Sequence, residues 1–341
     1  MSQSIRFFTL IFSLFFIAGA SNSYAAAQET PQMFATSVIQ PSTNPKNLAG
    51  VSFNERAEVE GIVDDLEKSA ADPYAASLPL IASAELGDAN RYSLSLSKML
   101  VLLVQLNKTP DAFPEWMRNN SFKAWMWGRV LLAADAVNDV PAVIKSKRKL
   151  AVLLNSGMTK DDNLAFFAWA EGYLATLNNH TYLVSQQKMT KDAIELTNEY
   201  SIKPTHAALS NALWAWVMAL PASANAQKID PYNQTKKQMT SLTFTQSVVD
   251  AIQTGLLRTA DSNDYPAWAL AKVRVAAAVM HDEDLYQQIN GALTSSLADA
   301  KKAGAKAEYA LGVLENQLAM LQMNKELRPQ GNPLSMRQSR M

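Results

Sequence analysis

From about Asn54 onward the apolar residues recur at helical spacing. Val59, Ile62, Val63 and Leu66 occupy positions i, i+3, i+4 and i+7, with Glu58, Glu60, Asp64, Asp65 and Lys68 left for water, which predicts an amphipathic helix. Asp72-Pro73 has the order of an N-cap followed by a first helical residue, where proline's missing hydrogen would be unpaired anyway, and the same pair recurs as Asp230-Pro231. Gly87 follows an apolar segment where a left-handed C-terminal residue is wanted, and Asp88 can cap the next helix. Leu242 and Phe244 alternate as in a strand, but Val248, Val249, Ile252 and Leu256 continue at helical spacing, so a helix is predicted there as well. The pattern is that of an all-α chain.

A longer recurrence organises these helices. Ala124-Trp125, Ala168-Trp169, Ala215-Trp216 and Ala267-Trp268 lie in Ala-rich segments separated by 44, 47 and 52 residues, each followed by a polar break and a second amphipathic helix. Small residues let helices approach while a tryptophan fills the space beside them. A period of this size predicts hairpins that bury their apolar faces on one another, an α-solenoid of stacked antiparallel helical hairpins. The hairpin Ala168 to Leu196, with Gly172 and the turn at Asn179-His180, resembles the tetratricopeptide-like superfamily, as does Trp268 to Leu297 with its turn at His281-Asp282 and the ladder Leu285, Ile289, Leu293 and Leu297. The resemblance covers about residues 120–322. It implies a right-handed TPR-like superhelix whose concave groove binds peptides or partner proteins, and it implies no catalytic residues.

The flanks divide the chain further. Residues 1–27 read as a signal peptide: Arg6, the apolar run Phe7 to Ala20, then small residues ending in Ala25-Ala26-Ala27. Residues 28–52, rich in Gln, Thr, Pro, Ser and Asn, read as a flexible leader. Residues 53–119 are helical without the Ala-Trp mark and read as an atypical cap, residues 120–323 as the hairpin repeats, and 324–341 as a basic disordered tail. The expected location is periplasmic or secreted, with no transmembrane segment after signal cleavage.

Composition then removes most chemistries. Basic and acidic residues are equal at 31 each, and only Arg6 falls in the signal, so the mature chain gives no polyelectrolyte basis for binding nucleic acid. With no cysteine there is no disulfide, thiolate ligand or thiol nucleophile. There is no Gly-x-Ser-x-Gly elbow, and the 12 glycines are too dispersed to cradle a phosphate. His281-Asp282-Glu283-Asp284 is the densest group with metal-ligating side chains, but acids at a helix start complement its macrodipole, and the capping reading is preferred. No cofactor and no metal are expected.

Two surface features carry the functional expectation. Lys145, Lys147, Arg148 and Lys149 offer peripheral contact with an anionic envelope surface, against the plainer reading of a solvated face over Val143, Ile144, Val152 and Leu153. Trp125 and Trp127, like Trp214 and Trp216, stand two apart and project about 200° from one another, so one of each pair is left to line a groove. Trp127, Trp169, Trp216 and Trp268 are the candidate partner-binding residues, set against packing between layers. The expected function is an exported binding or scaffolding protein of the cell envelope or extracellular space, with a protein or peptide partner. The alternative is a hydrolase or lyase acting on an envelope polymer through acidic groove residues.

Overall fold

The computed structural model describes residues 53–177, 182–256 and 266–323; the segments read above as signal, leader and basic tail, and the turn expected at Asn179-His180, lie outside them. Among the described residues the structure is all-helical, with thirteen α-helices, two short 3-10 turns and no strand. Two kinds of helix alternate. α2 (Pro73–Leu86), α4 (Asn120–Val137), α6 (Leu164–Leu177), α8 (His206–Asn225), α11 (Ala267–Met280) and α13 (Lys306–Met323) are rich in small and apolar residues over most of their circumference. α1 (Phe53–Ser69), α3 (Ala89–Lys108), α5 (Val140–Asn155), α7 (Tyr182–Ile202), α9 (Ile229–Thr243) and α12 (Glu283–Lys302) are one-sided, as in α3, where Tyr92, Ser95, Met99, Leu102, Leu103 and Leu106 are buried on a single stripe. A helix apolar all round must be covered all round; a helix with one stripe needs one neighbour layer.

The packing follows from that difference. Each all-round helix contacts the next in the series α2, α4, α6, α8, α11, α13, and α13 returns to α2. These six form a closed inner ring. The one-sided helices cover it from outside, with α1 against α2 and α13, α3 against α2, and α5, α7, α9 and α12 each against the inner helix that precedes it. The short α10 (Val248–Gly255) packs mainly on α9 and α8. The inner helices run parallel: Ser121 Oγ at the start of α4 accepts from Asn163 N–H just before α6, the Trp268 N–H at the start of α11 donates to Glu308 at the start of α13, and Asn225 at the end of α8 donates to the Thr176 carbonyl near the end of α6.

The all-α expectation holds among the described residues, and the series of inner helices closes into a ring in which the last helix meets the first. Val59 and Val63 of α1, both fully buried, share one core with Tyr309, Leu311, Val313 and Leu314 of α13. Burying each such side chain stabilises by about 1.5–3 kcal/mol. The ion pairs across the same seam, Lys301 with Glu58 at 2.6 Å and Lys306 with Asp65 at 2.7 Å, are exposed and screened by water, so they add little. Apolar burial closes the ring. α1 and α2, at the start of the 53–119 segment, form one side of this seam.

Inner-to-outer turns share a local device. Gly87, Asn138, Gln227 and His281 all have positive φ, and Asp88, Asp139 and Asp282 then cap the outer helices α3, α5 and α12. Asp72 caps α2 as its sequence predicts, whereas α9 starts one residue before Asp230, with Lys228 at the cap position. Tyr92 donates to Asp139 at 3.0 Å and Tyr232 donates to Asp282 at 3.1 Å, so a tyrosine in one outer helix holds the N-cap of a later one. Burial, then the neighbouring carboxylate, pushes both phenols well above the usual tyrosine range and keeps them donors.

α8 is long and apolar enough, by length and composition, to cross a bilayer. Its apolarity has a packing cause, since it lies between α6 and α11 in the inner ring and most of it is buried there.

Candidate functional site

Where the inner helices begin, their aromatic side chains meet. Trp125 of α4 stacks on Phe166 of α6 with centroids 4.9 Å apart and meets Trp169 edge-on at the same distance. Tyr74 of α2 lies 5.5 Å from Trp125, and Trp214 of α8 meets Trp268 of α11 at 5.8 Å. Arg129 joins the two groups. Its guanidinium carbon lies 4.3 Å from the Trp125 centroid, 5.0 Å from Tyr74 and 5.5 Å from Trp268. The side chains come together because each of Trp125, Trp169, Trp214 and Trp268 occupies an inner helix on the face toward a neighbouring inner helix. Helical periodicity then puts the fourth residue onward on that same face: Arg129 after Trp125, and Lys272 after Trp268.

Most of this cluster is interior, but not all of it. Tyr74 is 37% exposed and Trp169 and Trp214 are half-buried, while Arg129 is 3% exposed and Trp125 and Trp268 are buried. The hydrogen-bond accounting is unusual for such depth. Arg129 donates from Nη1 to the Ser77 hydroxyl at 2.6 Å, yet its Nε, the Trp169 indole Nε1 and the Trp268 indole Nε1 are buried without an acceptor. A buried donor left unpaired costs roughly 1–3 kcal/mol, more for a charged group. Cation–π contact, worth about 2 kcal/mol when desolvated, offsets part of that for Arg129.

Further along the axis the charges are matched. Lys272 donates to Glu315 at 2.5 Å, with both side chains buried, and its ammonium lies 4.9 Å from the Trp268 centroid. Burial works to lower the Lys272 pKa, but Glu315, Tyr173 and Glu85 outweigh it and hold the ammonium above the usual lysine range. A second group of acids lies between layers. Glu171 of α6 is buried near Asp192 and Lys188 of α7; burial first, then Asp192, raises its pKa to about 8, with Lys188 at 3.9 Å opposing. Burial and then Glu195 raise Asp192 to about 6. The two carboxylates face the seam between inner and outer helices, away from the aromatic cluster.

The candidate residues predicted from sequence are thus separated. Trp169 and Trp268 belong to the aromatic cluster. Trp127 is buried against α5, under Lys145 at 5.9 Å, and Trp216 is buried with its indole donating to Thr197 of α7 at 3.1 Å; both fill the core rather than line a groove. The phase error has a simple source. Trp214, not Trp216, is the counterpart of Trp125, Trp169 and Trp268, so the Ala-Trp recurrence is out of register by two residues at α8. Lys145 and Lys147 are half-buried and Arg148 and Lys149 exposed on the outer face of α5, apart from the ring axis. Beneath them Val143 and Leu153 are half-buried, whereas Ile144 and Val152, expected inside, are exposed at 46% and 69%. Asp282 caps α12, as the capping reading of His281 to Asp284 requires, and no group of three or more metal-ligating side chains occurs among the described residues.

Arg129, Tyr74, Trp125 and Trp214 are the site residues that sequence reasoning missed. The available signal was the i, i+4 pair of a tryptophan with a cation, Trp125 with Arg129 and Trp268 with Lys272, on helices otherwise apolar. Comparison with family models, with curated proteins and with solved structures gives no match, so the chain's function has to be argued from this geometry alone.

Proposed function

We propose that the chain is an exported binding or scaffolding protein of the cell envelope or extracellular space, and that it receives a protein or peptide partner at the aromatic end of the helical ring. The observation that carries this reading is the set of accessible rings there: Tyr74, Trp169 and Trp214, with Trp116 against Phe122 and Phe166, are partly exposed while the rest of the cluster is interior. Large, stiff aromatics at a rim over a buried cation make effective anchors, because they bury much area at little entropic cost. The stacking of successive hairpins supports a scaffold role on the same footing, since such rings hold their rims rigidly.

The polymer hydrolase or lyase reading draws its support from Glu171 and Asp192, whose raised pKa values suit acid–base work. Their place between α6 and α7, away from the accessible rings, weighs against it. The test is affinity capture from the native envelope fraction with the mature chain, Trp169→Ala and Glu171→Gln in parallel, beside a polymer-cleavage assay. A stoichiometric protein partner lost on Trp169→Ala, with the variant still folded by circular dichroism, is the expected result. Polymer cleavage abolished by Glu171→Gln, with no partner recovered, overturns it.

A further inference from the structure

We propose that the ring axis beside Arg129 is a binding site for a carboxylate carried on an apolar or planar body, an inference that rests on the aromatic end of the ring being the docking end. Three donors are buried there without an acceptor: Arg129 Nε, Trp268 Nε1 and Trp169 Nε1. They are not scattered. Arg129 lies against Trp125 and Trp268, and Trp169 meets the same Trp125 ring, so all three border one aromatic group.

Among the described residues no acid pairs with Arg129. Arg129 has a neutral hydroxyl and three rings as its contacts, whereas Lys272 is matched by Glu315 at 2.5 Å and lies near Glu85 as well. The inner helices run parallel, which brings Tyr74, Trp125, Trp169, Trp214 and Trp268 of their N-terminal halves to one level of the ring. A ligand for this place must bring acceptors and about one negative charge. A carboxylate does both, and its two oxygens match the planar fork of an arginine. A dianionic phosphate would bring more charge than one unmatched guanidinium offsets. The surrounding Trp125, Trp268 and Tyr74 rings suit a ligand body that stacks. Tyr74, an exposed ring of the cluster, lies over Arg129 at 5.0 Å on the solvent side.

Two sources supply this chemistry: a small aromatic acid, or the free C-terminus of a peptide that ends in an apolar residue. The experiment titrates the whole mature chain by calorimetry and tryptophan fluorescence with two matched pairs, phenylacetate against phenylacetamide and acetyl-Gly-Gly-Phe against its C-terminal amide. Losing a hydrogen-bonded charge corresponds to about a tenfold to hundredfold loss of affinity. The acid of at least one pair is expected to bind at least about tenfold more tightly than its amide, and Arg129→Gln is expected to abolish that preference. Trp268→Phe, which removes one indole N–H and keeps a ring, is expected to weaken the acid several-fold without lowering the melting temperature, so the inference stays testable if Arg129→Gln fails to fold. A preference confined to the peptide pair assigns the C-terminus as the source; one shared by both pairs assigns the carboxylate and ring alone. Equal affinity for acid and amide, or no binding of either pair, overturns the inference. A partner captured through Trp169 that is indifferent to Arg129→Gln and to C-terminal amidation overturns it while leaving the docking role standing.

Discussion

Lys272 and Glu315 join α11 and α13, the inner helices that pack most extensively on each other, and removing either tests how that interior is held together. With both side chains buried and the ions 2.5 Å apart, Lys272→Met leaves a carboxylate in the interior without its cation. Breaking such a pair from one side costs about 3–5 kcal/mol, whereas replacing both members with apolar residues of similar size is near neutral, because the desolvation of two ions disappears with their attraction. The lost contact with the Trp268 ring pushes in the same direction. For a domain of this size about 1 kcal/mol moves the melting temperature by roughly 2–4 °C. Lys272→Met is therefore expected to melt about 10 °C lower, Glu315→Gln less so because Glu85 and Tyr173 remain near the ammonium, and Lys272→Met/Glu315→Leu within a few degrees of the parent. Thermal unfolding followed by far-ultraviolet circular dichroism reads all three. The folded lysine pKa is raised, so this contribution is fully present below the unfolded lysine value of about 10.4 and is lost only as pH rises through the higher folded value. A single variant within about 3 °C of the parent, or a double variant as unstable as Lys272→Met, would refute a buried and mutually dependent pair.

Three other predictions concern separate parts of the ring. Glu171 and Asp192 have folded pKa values raised to about 8 and about 6, so they bind more protons folded than unfolded, and stability is expected to fall as pH rises from about 4.5 through 8. Glu171→Gln should flatten most of that slope in urea unfolding series, and a parent whose stability rises over the same interval would contradict the burial of Glu171. Asp139→Ala removes both the cap on α5 and the acceptor for Tyr92; a loss of about 2–3 kcal/mol is expected, and adding Tyr92→Phe to it should cost much less than Tyr92→Phe alone. Additive losses would disprove that coupling. Alanine at Gly61 or Gly291 meets nothing within 4 Å and should stabilise by about 0.5–1 kcal/mol through helix propensity, while a Cβ at Gly172 comes within 2.9 Å of the Met218 Cβ on α8, so the same change there should destabilise. Melting temperatures of the three alanine variants decide it, and a gain at Gly172 would mean that α6 and α8 are less closely packed.

Much of the architecture was legible in the residues because it is set locally. The stripe of Val59, Ile62, Val63 and Leu66, the Asp72-Pro73 start, Gly87 with Asp88, and Asp282 after His281 are decided by side chains within a turn or two of each other, and the helices and caps came out where those patterns place them. The contrast between all-round apolar helices such as α11 and one-sided helices such as α3 also lies in sequence, and it dictates two layers. The missed start of α9 is of the same local kind: Asp230 sits inside the first turn because Lys228 already provides the extended residue before it.

Closure and the aromatic cluster are different in origin. The seam that makes a ring out of a row of hairpins joins Glu58 to Tyr309, 251 residues apart, through apolar stripes that look the same whether their partner is the next hairpin or the last one. Hydrophobic periodicity states that a face must be covered and is silent on what covers it. The phase of the tryptophans is settled in the same way. Trp214 and Trp216 differ in sequence only by two positions, yet α7 takes one and α11 the other, and that choice depends on where neighbouring helices sit. Sequence alone determined that the described residues would be helical, where most of those helices begin, and which must lie inside; only the tertiary structure decided that the stack closes and that Arg129 stands among three rings with buried donors beside it, because those outcomes depend on packing between residues far apart in the chain.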